Sequence, residues 1–185
     1  MALSPTRLDY RLRLSHVDRA LELEESVLVS RHPSETQAHA VSRLLAWCLL
    51  RQEGLEFGPG LSTPEAADLW ARGPTGDLTV WVECGAATAD RMRKVLQHNH
   101  RVEAHVVLDN AARAEELAGE LAALKLPRGA KPLTIWILDQ SMLRALAERD
   151  ERRQKWVVTI VGDHFYIDAD GIAIDGAVER RLVEA

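Results

Sequence analysis

The stretch from Ala67 to Gly85 constrains this chain most. Two runs with strand character, AlaAspLeuTrpAlaArg (67–72) and LeuThrValTrpValGluCys (78–84), flank Gly73-Pro74-Thr75-Gly76. Aromatic and β-branched runs on either side of a Gly/Pro segment are a hairpin signal. A turn centred between Pro74 and Thr75 sets Asp68 opposite Trp81, with Glu83 two residues along from Trp81 on the same face. Diagonal cross-strand neighbours lie ~7–8 Å apart, within reach of long side chains. Two carboxylates converging from paired strands can hold a divalent cation.

With 185 residues, the chain is expected to form a single domain, 1–185, with a sizeable core. Net charge is −5. That excludes a strongly basic DNA-coating protein and leaves room for a nucleic-acid enzyme with a local basic rim. The two cysteines, Cys48 and Cys84, form no ligand-spaced pair, so a zinc ribbon or disulfide scaffold is not expected. The N-terminus lacks an apolar core of the signal-peptide kind, and no apolar run approaches ~18 residues. The expectation is a cytoplasmic protein with no membrane partner.

Along the chain, Leu8 to His16 alternates as a half-buried strand, and Leu21 to Val29 continues as its hairpin partner. Ser34 followed by Gln37 reads as a capping box opening a helix to about Arg51, with Glu35 in its first turn. Val41, Leu44, Leu45, Cys48 and Leu49 are its apolar stripe. Leu55 to Pro64 reads as a loop. After the hairpin come a helix from about Asp90 to His100, a strand from Val102, a helix from Ala111, and an apolar strand from Leu133 to Leu138. A last helix reaches about Arg149, and Trp156 to Ile167 reads as a terminal hairpin. Ile172 and Ile174 suggest a short final strand. The pattern predicts an α/β fold with a central mixed sheet flanked by helices, the helix-linked middle strands parallel and the terminal hairpins antiparallel.

A magnesium-dependent nuclease needs acidic oxygens around one or two hard cations. Asp68, Glu83 and Glu35 are the candidates. With no metal, the same acids are strand-end surface charges and an N-terminal helix acid. Asp77 is a rival to Asp68 because it shares strand parity with Glu83, but six residues of extended strand span ~20 Å, so Asp68 is preferred. Arg31 and Ser34, with His32, precede the helix and suit contact with phosphate or another anion, or simple capping. No Gly-rich phosphate loop and no Gly-x-Ser-x-Gly elbow is present.

ArgHisProSerGluThr (31–36), ArgLeuLeuAlaTrp (43–47), AspLeuTrp (68–70) and TrpValGluCysGly (81–85) occur in that order. In these motifs the chain resembles the YaeQ family of small bacterial proteins, over essentially its whole length. That family is similar in fold to the PD-(D/E)XK nucleases, whose pattern is a helix Glu, an Asp entering a hairpin, and an acid-x-Lys on the next strand. The resemblance implies Glu35, Asp68 and Glu83 as metal and catalytic residues, with Mg²⁺ or Mn²⁺ as cofactor and nucleic acid as substrate. Two positions depart from the pattern. Ala67 stands where a Pro precedes the hairpin Asp, and Gly85 stands where the Lys belongs. Lys94 or Arg91 on the following helix is the expected replacement, with Gln97 assisting. The alternative is a catalytically inactive member of the fold that binds protein or nucleic acid.

Overall fold

Strict alternation forms β1 (Thr6–His16), which buries Leu8, Tyr10, Leu12 and Leu14 on one face. A 3-10 turn at Val17–Arg19 returns the chain as β2 (Leu21–Arg31), antiparallel to β1 along its length. The computed structural model describes residues 4–59, 66–124 and 126–184.

The first helix, α1, spans Gln37–Leu50 and is capped by Thr36, whose side chain accepts the His39 N–H at 3.1 Å. The expected Ser34/Gln37 box therefore does not form. Glu35 lies before the cap, not in the first turn. Its backbone N–H donates to the His32 carbonyl at 2.8 Å and its Oε2 accepts the His32 N–H at 3.0 Å. That tight turn holds residues 32–35 out of helical geometry, so Thr36 becomes the first hydroxyl able to cap. Every residue from Ala40 to Leu49 is buried. A helix buried all round needs walls on several sides, not the single apolar stripe expected.

Among the described residues, ten strands form one sheet in the order β2-β1-β8-β9-β10-β7-β6-β5-β4-β3. β5 (Leu78–Cys84), β6 (Glu103–Leu108) and β7 (Leu133–Leu138) run parallel as expected. They are linked by α2 (Ala89–His98) and α3 (Ala111–Leu124). α4 (Gln140–Ala147) leads to the antiparallel pair β8 (Arg153–Val161) and β9 (His164–Ala169). β8 also lies parallel to β1. The final strand, β10, is not short: it spans Ile172–Val183. Its first half pairs with β9 and its second half with β7, so it joins the two parts of the sheet. Two residues of the expected loop, Glu56–Phe57, form β3 against β4 (Leu69–Arg72), and residues 60–64 of that loop lie outside the described residues.

The result is a large mixed sheet, mostly closed, flanked by four helices. α1 and α4 occupy its concave side, in a core with Trp156, Phe165 and Val82. α2 and α3 cover the other face of the β5–β6–β7 region through Met92, Leu96, Leu117 and Leu121. The two edge strands are tied by one side chain. Arg43 of α1 donates to the carbonyl of Ser30 in β2 and to that of Gly58, just after β3, both at 3.1 Å.

The hairpin register differs from the expected one. Trp70 pairs with Trp81 and Leu69 with Val82: the turn already sets Arg72 opposite Leu78, one residue beyond the expected partner, and the ladder shifts by one more between Ala71 and Arg72. An irregularity of this kind adds length to one strand without disturbing the rest of the ladder. Asp68 consequently comes level with Glu83, just before β4, and its backbone N–H donates to the Val82 carbonyl at 2.9 Å.

Candidate functional site

Three elements meet at the N-terminal end of α1: the helix, the segment entering β4, and the end of β5. His39 and Arg43 lie one turn apart on one side of the helix, and the turn before the cap brings Glu35 against both of them. Asp68 closes the group from the hairpin. Its Oδ2 accepts the Cys84 N–H at 2.7 Å, and its Oδ1 lies 3.6 Å from His39 Nε2 and 3.5 Å from Arg43 Nε.

His39 is held at both ring nitrogens. Nδ1 meets Glu35 Oε1 at 2.7 Å, and Nε2 meets the Cys84 carbonyl at 3.1 Å. Both partners are acceptors, so both nitrogens carry protons and the ring is an imidazolium. Burial works against that charge, but the Asp68 and Glu35 carboxylates outweigh it and raise the pKa to about 10. Burial would likewise raise Glu35. Hydrogen bonds from His39 and the His32 N–H, with the Arg43 charge, hold it below the usual carboxylate range instead. Arg43 is fully buried, and its Nη1 lies 3.3 Å from Glu35 Oε1. Two carboxylates and two cations thus balance one another in the interior.

Glu83 leads a second, adjoining pair. Its Oε1 accepts from Trp81 Nε1 and from Arg91 Nε, each at 2.7 Å. Burial pushes its pKa up, against the opposing effect of the Arg91 hydrogen bond and charge. Arg91 also donates to the Ala66 carbonyl at 2.9 Å and stands over the Trp81 ring. Among the described residues, no group of three or more His, Cys, Asp and Glu stands ready to hold a metal ion.

The family model described as YaeQ protein matches residues 1–176. The chain belongs to the YaeQ family. It is 29% identical over 160 residues to the uncharacterised protein YaeQ of Salmonella typhi, covering 86% of each chain. With that of Escherichia coli K12 the identity is 27% over 170 residues, covering 92% of each. The YaeQ protein structure from Xanthomonas axonopodis pv. citri superposes with a TM-score of 0.86 at 28% identity, covering 98% of this chain and 100% of that one. The structure of YaeQ from Pseudomonas syringae gives 0.83 at 25% identity, covering 98% and 97%.

In this YaeQ family member the remaining candidates are distributed as follows. Arg91 and Lys94 line a cleft of about 590 Å³ on α2, beside Trp81 and His98. Arg91 is the cation that meets Glu83, whereas Lys94 pairs with Asp90 at 2.7 Å in an exposed i,i+4 contact. Gln97 is exposed on the same helix, outside that lining. Arg31 donates to Gln37 Oε1 at 2.7 Å, and Ser34 Oγ meets His32 Nδ1 at 2.6 Å. Asp77 accepts from Thr75 Oγ1 in the exposed turn and stays apart from the cluster. Gly85 adopts φ +79°, a conformation that L side chains rarely take, and this accounts for a glycine in place of the lysine. Sequence reasoning missed His39 and Arg43. Their signal is a polar i, i+4 pair in a largely apolar helix, four and eight residues on from Glu35.

Proposed function

We propose that this protein is a nucleic-acid-processing phosphodiesterase, dependent on a divalent metal and built on a variant of the PD-(D/E)XK fold. The observation that carries this reading is the convergence of a carboxylate oxygen of Asp68 and the Cys84 carbonyl oxygen on one cationic nitrogen, His39 Nε2. Hard oxygen donors around a positive centre are what Mg²⁺ or Mn²⁺ selects. On this reading Asp68, Glu83 and the Cys84 carbonyl would hold the ion, with Glu35 in support directly or through water. Bound there, the ion would supply an activated water and neutralise phosphate charge.

The chain's own groups prepare and guard that chemistry. His39 occupies the cationic position, so loading requires it to surrender its proton or its place. The His39 hydrogen bond and the Arg43 charge keep Glu35 ionised. Gly85 offers no cation, so Arg91, and Lys94 further along the cleft, take the role of stabilising charge on the phosphate. The Trp81 face beside Arg91 suits an unpaired base.

Calorimetric titration with Mg²⁺ and Mn²⁺, followed by assays on single-stranded, duplex and branched DNA and RNA, tests the reading. Loss of metal binding and cleavage in Asp68→Asn and Glu83→Gln is the expected result. Cleavage that survives both substitutions in protein free of contaminating nuclease overturns it. A second reading, a non-catalytic module that binds nucleic acid or protein, is favoured by the charge balance at Asp68 and Glu83 and by Gly85. It predicts binding that is indifferent to both metal and the two substitutions.

A further inference from the structure

A second cleft, of about 370 Å³, opens at the other end of α1. Its floor is Leu49 and Leu50, and its walls include His16 of β1, His105 of β6, Trp136 of β7 and Arg180 of β10. It lies in the concave side of the sheet, at the end opposite the Glu35–His39–Asp68 cluster. The mouth of a strongly curved sheet is a common place for a small-molecule site.

Three features of this mouth exceed what packing requires. His16 is only 7% exposed, and its Nδ1 is buried with no hydrogen-bond partner. A buried polar atom left unpaired is costly and points to a missing partner. His105 Nδ1 accepts from Trp136 Nε1 at 3.3 Å, which places the proton of the neutral ring on Nε2 as a remaining donor. Burial drives the His105 pKa down to about 4, so the ring is neutral at ordinary pH. The Arg180 guanidinium lies over the Trp136 ring at 5.5 Å and, among the described residues, has no hydrogen-bond or ion-pair partner. The other charges at this mouth are engaged. Arg19 donates to the Leu49 and Arg51 carbonyls, Asp18 accepts the Gly162 N–H, and Glu103 pairs with Lys131.

We propose that this mouth binds a small carboxylate with a flat apolar body. The Arg180 guanidinium takes the carboxylate through its planar fork. Leu49, Leu50 and the Trp136 indole enclose the body, and His105 supplies a neutral hydrogen-bonding group beside His16 at the base. This site is independent of the phosphodiesterase reading and stands or falls without it.

Indole-3-acetate, with uncharged indole as the control, tests the proposal by ¹H–¹⁵N NMR titration of the full chain. The expected result is saturable shifts centred on residues 16, 105, 136 and 180, with indole-3-acetate binding at least tenfold more tightly than indole. In Arg180→Gln, an exposed substitution, that preference disappears while binding of indole is retained. Trp136→Phe weakens both ligands. Absence of saturable shifts at this mouth, or a preference for the carboxylate that survives Arg180→Gln, overturns the proposal.

Discussion

His39 Nε2 lies 3.6 Å from Asp68 Oδ1, while Nδ1 of the same ring lies 2.7 Å from Glu35 Oε1. One imidazolium thus bridges the helix acid and the hairpin acid. Because its folded pKa, about 10, stands above the ordinary 6.5, the stabilisation is complete below pH 6.5 and is lost as the pH rises towards 10. Urea unfolding should therefore show a midpoint that declines between those limits. His39→Gln should flatten that decline. A wild-type profile that stays level to pH 10 would contradict the assignment.

Arg43 joins both edges of the sheet and neutralises Glu35 and Asp68 from a fully buried position. Arg43→Met leaves two carboxylates with less compensation and removes the tie between Ser30 and Gly58. The expected loss is ~3–5 kcal/mol, as for other buried pairs broken on one side. Arg43→Lys keeps the charge but not the planar span between two carbonyls, so it should recover only part of the loss. Chemical denaturation of both variants measures this. A cost below ~1 kcal/mol for Arg43→Met, the scale of a surface ion pair, would contradict a closing role.

Gly58 permits the close approach on which Asp68 depends. A Cβ there would stand 1.9 Å from the Ala67 carbonyl oxygen, and the Gly58 N–H already donates to the Asp68 carbonyl at 2.8 Å. Gly58→Ala must push these backbones apart, at a cost of ~1–3 kcal/mol or more. The displaced Asp68 should also let the His39 pKa fall, which an NMR titration of the ring would record.

At the far end of α1, His105 has the opposite linkage. Its folded pKa of about 4 lies below the ordinary 6.5, so the stabilisation it reports is present above pH 6.5 and is lost as the pH falls towards 4. Its ring resonances should remain those of the neutral form at pH 5.5, where a solvated histidine is mostly charged. Titration near 6.5 would contradict the buried Trp136 contact.

Much of this arrangement is legible in local sequence patterns. Alternation from Leu8 to His16 and the apolar run Leu133 to Leu138 each report structure within a few residues. The features that escape are long-range. β10 carries AspGlyAlaValGluArgArg, with no clean alternation, because it changes partners from β9 to β7 midway. The parallel pairing of β1 with β8 leaves no local trace. The hairpin slip arises in two steps, at the turn and at Ala71/Arg72, where composition looks unexceptional. Glu35, Asp68 and Glu83 are identifiable as acids by motif, but their cationic partners are not. Arg43 falls in an apolar helix, where an arginine ordinarily extends to solvent, and only closure of the sheet around α1 turns it inward.

On the proposed function, His39 holds the place that a divalent metal would take. Calorimetric titration of Mn²⁺ into wild type, His39→Ala and Asp68→Asn, in two buffers of different ionisation enthalpy, tests it most directly. Binding to wild type should release a proton. His39→Ala should bind Mn²⁺ about tenfold more tightly, an ordinary coupling for competing ligands, and without that proton release. Asp68→Asn should not bind at this site. Affinity unchanged or weakened in His39→Ala, or binding that survives Asp68→Asn, would contradict it.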